Sequence, residues 1–475
     1  MAETQNNVAM LHRKEWQTMS PAPSATIAGS LVVASPDNNV ALYFNTNTLS
    51  YLYHHDEDDW VQIPSGPFAV AAAAGSCGTY SPWSRTMTAV GGTTSTITVA
   101  AASFNLNGAV INKTIEFLSG TATNIGLRRT ITNIITNAGI GDITLVLDSP
   151  VTGAVANNDT FRIASGSFFI LNAGTLAATN YFKRLDVATL SWTDLAITGL
   201  PATIGTDCKL VHPYVLGDSY DSGTATSGST TTLVQSTRNW TSGQWVNYQV
   251  RITAGTGMGQ VRVITANTGT QLTFATGAAI DATSKFVIEG DENAIYVLGN
   301  NAVTLYKYSI SGNTSSTVSV TAARAGAPTG GMSATFISKV PDASWSDINS
   351  IKDGRYIYSL RGGASTIIDR YDIASLTWLA TKYVGVVTYT AGTSVFNYGK
   401  YLYIAKEGTA NIPQRIYKYS LTGNYLEPVT SDYYYGAAAV IGNKMWIKPL
   451  SSAGVIKWLY LLQSGTGILR RIMLF

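Results

Sequence analysis

The sequence is poor in charged residues. They make up only 12% of its 475 residues, about half the share found in an ordinary soluble domain. The formal net charge is +3, and the one concentrated basic spot is the pair Arg470 and Arg471. Binding to a polyanion needs clustered positive charge, so a nucleic acid partner is not expected.

Cysteine is nearly absent, and long apolar runs are missing. Cys77 and Cys208 are too few for a disulfide framework or a metal cluster, and we expect buried reduced thiols rather than a bridge. Residues 1–30 contain no apolar stretch that could act as a signal sequence, and nowhere do about 18 apolar residues follow one another. These absences predict a chain that is made in the cytoplasm and does not insert into a membrane.

The residue types that are abundant indicate an all-β protein. Hydrophobic residues make up 45% of the chain, with 26 Tyr and 10 Trp, and large rings suit the half-buried face of a sheet. Small and polar residues dominate the connecting stretches, which is typical of short strands joined by tight turns. The length predicts more than one folding unit.

Four segments of the chain share one layout. Each has an apolar strand, a short Gly or Asn turn, a strand with Tyr near Asp or Lys, and often a further strand opened by Trp. These segments are 167–192, 294–309, 355–378 and 400–420. Weaker copies at 41–60 and 444–475 bring the number of candidate repeats to six.

This layout resembles the kelch repeat, whose period of about 50 residues forms one four-stranded blade of a β-propeller. Only one segment has the paired glycine of that repeat, Gly362 and Gly363. The resemblance therefore rests on the hydrophobic, tyrosine and tryptophan positions. It implies an all-β, six-bladed kelch-like β-propeller in which each blade buries both of its faces against its neighbours.

Two long insertions interrupt the repeats, at 91–163 and 224–289, and they resemble each other. Five short strands occur in the same order in both, for example 114–121 matching 249–256 and 126–132 matching 259–265. Alternating strands with Gly-Thr and Asn-Gly turns predict a duplicated small β-barrel or sandwich domain. If both split the first strand of a blade from its second, they leave one face of the propeller side by side.

The predicted organisation follows from these features. Residues 1–30, with Pro21 and Pro23 near their end, form an extended N-terminal arm. The remaining boundaries are propeller at 31–90, inserted domain at 91–163, propeller at 164–223, inserted domain at 224–289 and propeller at 290–475.

The densest polar cluster runs from His54 to Asp59. Imidazole and carboxylate groups bind zinc or calcium and relay protons, which makes four of its residues candidates for a metal site. The candidates are His54, His55, Asp56 and Asp58. The cluster falls where the third strand of a blade turns into its fourth, and turns are normally polar, so a solvated turn is favoured.

Surface aromatic rings could stack on sugars. The candidates for glycan contact are Trp83, Trp240, Trp245, Tyr433, Tyr434 and Tyr435. Packing between blades is the competing and favoured explanation for such rings. The sequence has no repeated aspartate box and no Gly-x-Ser-x-Gly elbow, so we predict a chain that is not an enzyme and uses no cofactor.

The insertions are similar to small β modules of bacteriophage structural proteins, on the pattern of 229–234, 239–240, 250–252, 255–262 and 284–288. This resemblance implies a structural protein of a tailed phage virion, in capsid decoration, neck, collar or tail. Its partners would be other virion proteins, bound through the arm and a propeller face, and copies of itself in a symmetric assembly. A virion protein that binds a host receptor or surface glycan is the alternative, and a glycan-degrading enzyme is a third hypothesis.

Overall fold

The computed structural model describes the chain with gaps. The described residues are 17–24, 30–35, 40–45, 49–63, 76–100, 110–137, 141–172, 174–175, 181–201, 203–205, 208–299, 303–324, 326, 332–336, 355–389, 393–398, 401–406, 415–421, 425–428, 444–449, 457–462 and 468–474. Within them the secondary structure is β-strand without any helix. This part of the chain accordingly contains no helix long and apolar enough to cross a membrane.

Five four-stranded sheets each consist of antiparallel strands that are paired in the order in which they occur along the chain, with other strands inserted after the first strand in two of them. They are β2 (Leu31–Ser35), β3 (Val40–Phe44), β4 (Ser50–His54) and β5 (Asp59–Gln62); β6 (Cys77–Ser81), β14 (Ser167–Leu171), β16 (Phe182–Asp186) and β17 (Ser191–Asp194); β19 (Lys209–Val211), β27 (Ala294–Leu298), β28 (Leu305–Ser309) and β29 (Thr314–Thr317); β30 (Ser333–Phe336), β31 (Tyr356–Leu360), β32 (Ser365–Asp372) and β33 (Thr377–Tyr389); β34 (Ser394–Tyr398), β35 (Tyr401–Lys406), β36 (Arg415–Ser420) and β37 (Leu426–Pro428). We call them sheets 1 to 5. The first strand of each sheet packs beside the first strand of the next.

This arrangement is a β-propeller. The second strands of sheets 1 to 4 are buried along their whole length, because both faces of each sheet are covered by neighbours. The fourth strand of sheet 1 is largely exposed, as expected for the outer edge of a blade. The sequence predicted six blades, whereas five have their four strands paired in chain order.

The turn between third and fourth strands recurs from sheet to sheet. A residue with left-handed backbone occupies the same place in sheets 1 to 4: Asp58, Leu190, Asn313 and Leu376, with φ of 50°, 49°, 48° and 54°. Asp58 and Asn313 each accept a hydrogen bond of 2.7 Å from the Tyr hydroxyl five positions earlier, Tyr53 and Tyr308. Asn and Asp tolerate this conformation and bond locally, so both turns fit their sequence.

A sixth four-stranded sheet joins the two ends of the described chain. It consists of β38 (Lys444–Pro449), β39 (Lys457–Leu462), β40 (Leu469–Leu474) and β1 (Gln17–Thr18). Beyond β1, the Ser20 amide donates to Asp58 Oδ1 at 3.0 Å, and Trp60 Nε1 donates to the Ser20 carbonyl at 3.1 Å. The predicted arm of residues 1–30 is therefore wrong for 17–24, which pack on their own chain because β40 offers an unpaired edge. Residues 1–16 and 25–29 lie outside the described residues.

Outside these sheets, β15 (Gly174–Thr175) and β18 (Thr203–Gly205) form a two-stranded sheet.

Two seven-stranded sheets occupy the regions of the predicted insertions. Unit 1 comprises β7 (Met87–Thr88), β8 (Gly91–Gly92), β9 (Thr96–Ala100), β10 (Thr114–Ser119), β11 (Arg128–Asn137), β12 (Asp142–Leu147) and β13 (Thr160–Ile163). Unit 2 comprises β20 (Asp221–Thr224), β21 (Ser227–Gly228), β22 (Thr232–Val234), β23 (Gln249–Ala254), β24 (Val261–Asn267), β25 (Gln271–Phe274) and β26 (Lys285–Glu289). Each lies between the first and second strands of a four-stranded sheet, unit 1 in sheet 2 and unit 2 in sheet 3.

The two units have the same construction. The order across unit 1 is β7-β13-β10-β11-β12-β9-β8, and unit 2 repeats it as β20-β26-β23-β24-β25-β22-β21. The β-bulge after Phe117 recurs after Ile252, and the one after Ile131 recurs after Ile264. Because β7 and β8 are nearly contiguous in sequence yet lie at opposite edges, each sheet curls until its edges approach each other around its own apolar core.

The cysteines form a disulfide, so the prediction of reduced thiols is wrong. Cys77 begins β6 and Cys208 directly precedes β19, and their Cα atoms lie 5.8 Å apart although 131 positions separate them in sequence. Both are buried. A count of cysteines could not show that the fold brings the first strands of sheets 2 and 3 side by side at this point.

Candidate functional site

The most concentrated buried charge in the described chain lies where the two units meet the propeller. Trp83 lies between β6 and unit 1, and Glu292 lies between unit 2 and β27. Around them gather Glu116 on β10, Arg162 on β13, and Arg251 on β23. With Glu289 at the end of β26, we call these six residues the junction network.

The junction network is a continuous set of charge-assisted hydrogen bonds. Arg162 Nη2 donates to Glu116 Oε2 at 2.6 Å and to Glu292 Oε1 at 2.9 Å. Arg251 donates to Glu292 Oε2 at 2.6 Å and to Glu289 Oε2 at 3.1 Å. Arg251 also binds Glu116, which links unit 2 directly to unit 1. A single set of ion pairs thus joins both units and the segment that returns to the propeller.

Trp83, which follows β6 of the propeller, connects the propeller to the junction network. Its ring is 3% exposed, and the Arg162 guanidinium lies 4.0 Å from the ring centroid. Its Nε1 donates to Glu292 Oε2 at 3.2 Å. An indole beneath a desolvated guanidinium adds a cation–π attraction to the ion pairs.

The charges of the junction are mutually dependent. Burial raises the pKa of Glu292, but the positive charges of Arg162 and Arg251 outweigh this and lower it to about 2. Burial lowers the pKa of Arg251, and the carboxylates of Glu292, Glu116 and Glu289 more than reverse the effect, so its pKa lies above the usual range. Glu292 and Arg251 are therefore held ionised by their partners, and removal of one of the two leaves the other with less compensation.

The backbones of the two units touch beside this network. A Cβ atom added to Gly126 would lie 2.2 Å from the Gly259 Cα atom, and one added to Gly259 would lie 2.8 Å from the backbone of Ile125. The two glycines have φ of 78° and 87°. Only residues without a side chain permit this approach and this conformation together.

The contacts across the units join equivalent positions. In the sequence match, Gly126 corresponds to Gly259, and Glu116 corresponds to Arg251. The units therefore meet as a pseudo-symmetric pair, with opposite charges at one shared position. The sequence did not predict this network. The available signal was an acidic residue in one copy and a basic residue at the same place in the other, each between two apolar residues of its strand.

The predicted metal candidates lie elsewhere, in the turn between β4 and β5. His54 lies 3.7 Å from Glu57, whereas the His55 ring packs edge-on against Tyr53 and Tyr460. Asp56 is exposed, and Asp58 binds Ser20 and Tyr53. The expected turn is present, and among the described residues no group of three His, Cys, Asp or Glu side chains could hold a metal ion.

The predicted glycan-contact residues do not form a surface platform where the structure describes them. Trp83, Trp240 and Trp245 are 3%, 8% and 2% exposed. Trp240 Nε1 donates to Asp221 Oδ2 at 2.7 Å, and Trp245 packs edge-on against Tyr248. A buried ring has no free face for a sugar, which corrects the prediction for these three residues. Tyr433, Tyr434 and Tyr435 lie outside the described residues.

Comparison with known proteins gives no family. No family model matches the sequence, and no curated protein matches it. The chain is similar to one in a crystal structure of a mitotic checkpoint complex, with 10% identity and a TM-score of 0.37 over 98% of this chain and 94% of the other. A structural genomics protein of unknown function from Bacteroides thetaiotaomicron has 10% identity and a TM-score of 0.24 over 79% and 81% of the two chains. Such low scores carry no argument, so the fold assignment rests on the sheet pairing described above.

Proposed function

We propose that the chain is a structural, non-enzymatic component of a tailed bacteriophage virion. In this proposal it is a six-bladed kelch-like propeller with two inserted β domains of one duplicated kind. It is made in the cytoplasm of the host and docks on other virion proteins and on copies of itself. Its place is in capsid decoration, the neck or collar, or the tail.

The contacts of the sixth sheet support the count of six blades. Its strand β38 packs beside β34 of sheet 5 and beside β2 of sheet 1. The N-terminal strand β1 completes this sheet, so that the ring is closed by hydrogen bonds between the two ends of the chain. A closed ring of blades leaves only short, protected strand edges and withstands local opening.

The observation that carries the structural role is the junction network. The Glu116 and Glu292 carboxylates each bind two guanidinium groups, so they fasten the two units instead of offering a free acid or base. A particle component must hold its shape after release from the cell, and rigidly docked β units suit that requirement. The disulfide fits the same role if it forms after release, because disulfides are rare in the cytosol.

Mass spectrometry of purified phage particles tests the proposal. The chain is expected in particles at a fixed copy number, and the free protein is expected to be silent on a glycan array read for both binding and hydrolysis. Binding without hydrolysis would favour the receptor-binding alternative, and hydrolysis would favour an enzyme. Absence from the particles would overturn the virion assignment.

A truncation tests the anchoring role of the N-terminal segment. Since residues 17–24 belong to the fold, only residues 1–16 are deleted. The truncated chain is expected to fold normally, as judged by circular dichroism, and to be lost from particles. Incorporation at the normal copy number would show that the segment is not the anchor.

A further inference from the structure

A second group of buried charges lies in sheet 4, at the end where β31 turns into β32. Arg324 precedes β30, Arg361 follows β31, and Asp369 lies on β32. Arg324 is 5% exposed and Asp369 2%. The Arg324 Nε atom donates to Asp369 Oδ2, and Arg361 Nη2 donates to Asp369 Oδ1 at 2.6 Å. Two guanidinium groups therefore share one carboxylate.

Among the described residues, this sharing leaves the group with one more positive than negative charge. Of the remaining donors, Arg324 Nη2 binds Ser359 Oγ at 3.0 Å, whereas Nη1 has only the Met332 Sδ atom at 3.8 Å. A thioether is a weak acceptor. Within the described residues Asp369 is the carboxylate that both arginines bind. The Trp378 ring, whose centroid lies 4.8 Å from the Arg324 Cζ atom, attracts the guanidinium but carries no negative charge. Burial of an unbalanced charge is costly unless a counter-ion joins it.

The adjoining turn presents further donors. Arg361 is followed by Gly362, Gly363 and Ala364, whose φ angles are 72°, 59° and 62°. The Arg361 and Ala364 amides donate to the Ile367 and Tyr389 carbonyls. In the described part of the chain the Gly362 and Gly363 amides and Arg361 Nη1 have no acceptor. Successive amides in a turn of this kind form a concave site that suits an anion.

We propose that Arg361, Arg324 and the amides of Gly362 and Gly363 bind a compact oxyanion of the carboxylate, sulfate or phosphate class. The planar guanidinium fork matches the paired oxygens of such a group. Asp369 is a positioning residue in this site, since it holds the two guanidinium groups together. The inference is independent of the virion assignment, and it gives a role to the paired glycine of the kelch-like segment 355–378.

Calorimetric titration of the full chain tests the site. Sodium sulfate, sodium phosphate and sodium acetate are each added at constant ionic strength set with sodium chloride. The wild type is expected to bind at least one of them at a single site, and Arg361→Gln to bind it about tenfold more weakly through loss of one charge-assisted contact. The matched control is Arg355→Gln, because Arg355 in the same sheet pairs one-to-one with Asp372 at 2.7 Å; its affinity is expected to equal that of the wild type.

Absence of binding by all three anions, or equal affinity in wild type and Arg361→Gln, would overturn the proposal. If Arg361→Gln does not fold, Arg361→Lys takes its place. That variant retains the charge but loses the fork, and the proposal requires weakened binding; an unchanged affinity would contradict it. The ranking of the three salts identifies the chemical source of the ligand, since only acetate carries a carboxylate.

Discussion

Substitution of Gly126 by Ala tests how the two units are held together. The new Cβ atom would lie 2.2 Å from the Gly259 Cα atom, whereas ordinary contacts begin at 3.4 Å. The units must therefore separate by 1.2 Å (3.4 minus 2.2), because a backbone atom cannot rotate away. Overpacking of this kind costs about 1–3 kcal/mol, and loosening the Arg251–Glu116 contact adds to it.

Placing Ala at the left-handed backbone of Gly126 also costs strain energy, and a control substitution at Gly141 separates this strain from the clash. Gly141 in unit 1 has φ of 70°, close to the 78° of Gly126, but a Cβ atom there meets nothing within 4 Å. Gly141→Ala therefore bears only the backbone strain of about 1–2 kcal/mol. Urea unfolding followed by tryptophan fluorescence measures the difference. The free energy of unfolding of Gly126→Ala is expected to be about 1–3 kcal/mol lower than that of Gly141→Ala, with a lower urea midpoint. Equal midpoints would refute the docked arrangement of the units.

Three further predictions follow from particular contacts. The pKa of Glu292 is lowered from 4.5 to about 2, so the stability that its carboxylate contributes is present above pH 4.5 and is lost as the pH falls towards 2. The loss is about 3 kcal/mol at 1.36 kcal/mol per pKa unit. In Glu292→Gln the free energy of unfolding should fall less steeply over this pH range, and an unchanged slope would contradict the prediction. Leu376 has φ of 54°, and the buried Tyr371 hydroxyl has no hydrogen-bond partner among the described residues. Leu376→Asn copies the Tyr308–Asn313 pair and should therefore stabilise the chain by about 1 kcal/mol in thermal unfolding; a lower melting temperature would count against it. The Cys77–Cys208 bond closes a separation of 131 residues, so Cys208→Ala should lower the free energy of unfolding by about 2–5 kcal/mol. The melting temperature of the variant should not respond to reductant. A wild type whose melting temperature is also insensitive to reductant would argue against the bond.

The regular parts of the propeller could be predicted from the sequence because their strands are apolar and neighbouring strands lie close together in the sequence. The second strands, such as Ala294–Leu298 and Tyr356–Leu360, are buried on both faces, and burial of this kind leaves a continuous hydrophobic run. The outer strand Thr314–Thr317 has no such pattern. This strand could not be predicted from the sequence, because a strand at the rim of a blade is exposed and can be polar.

The parts that could not be predicted depend on contacts between distant residues. Pairing of Gln17 with Arg471 closes the sixth sheet, and no local pattern indicates which edge a two-residue strand will join. The junction network and the disulfide likewise need the fold before their members meet. The duplicated units were visible as repeated strands, but their docking depends on Gly126 and Gly259, which resemble ordinary hairpin glycines in sequence.

Electron cryomicroscopy of purified phage particles tests the central claim most directly. The particles are expected to show density for a propeller that carries two seven-stranded units in contact at Gly126 and Gly259. This density should be repeated with the symmetry of the head, neck or tail. Particles without such density would contradict the virion assignment. Density in which the two units stand apart would contradict the rigid junction on which that assignment depends.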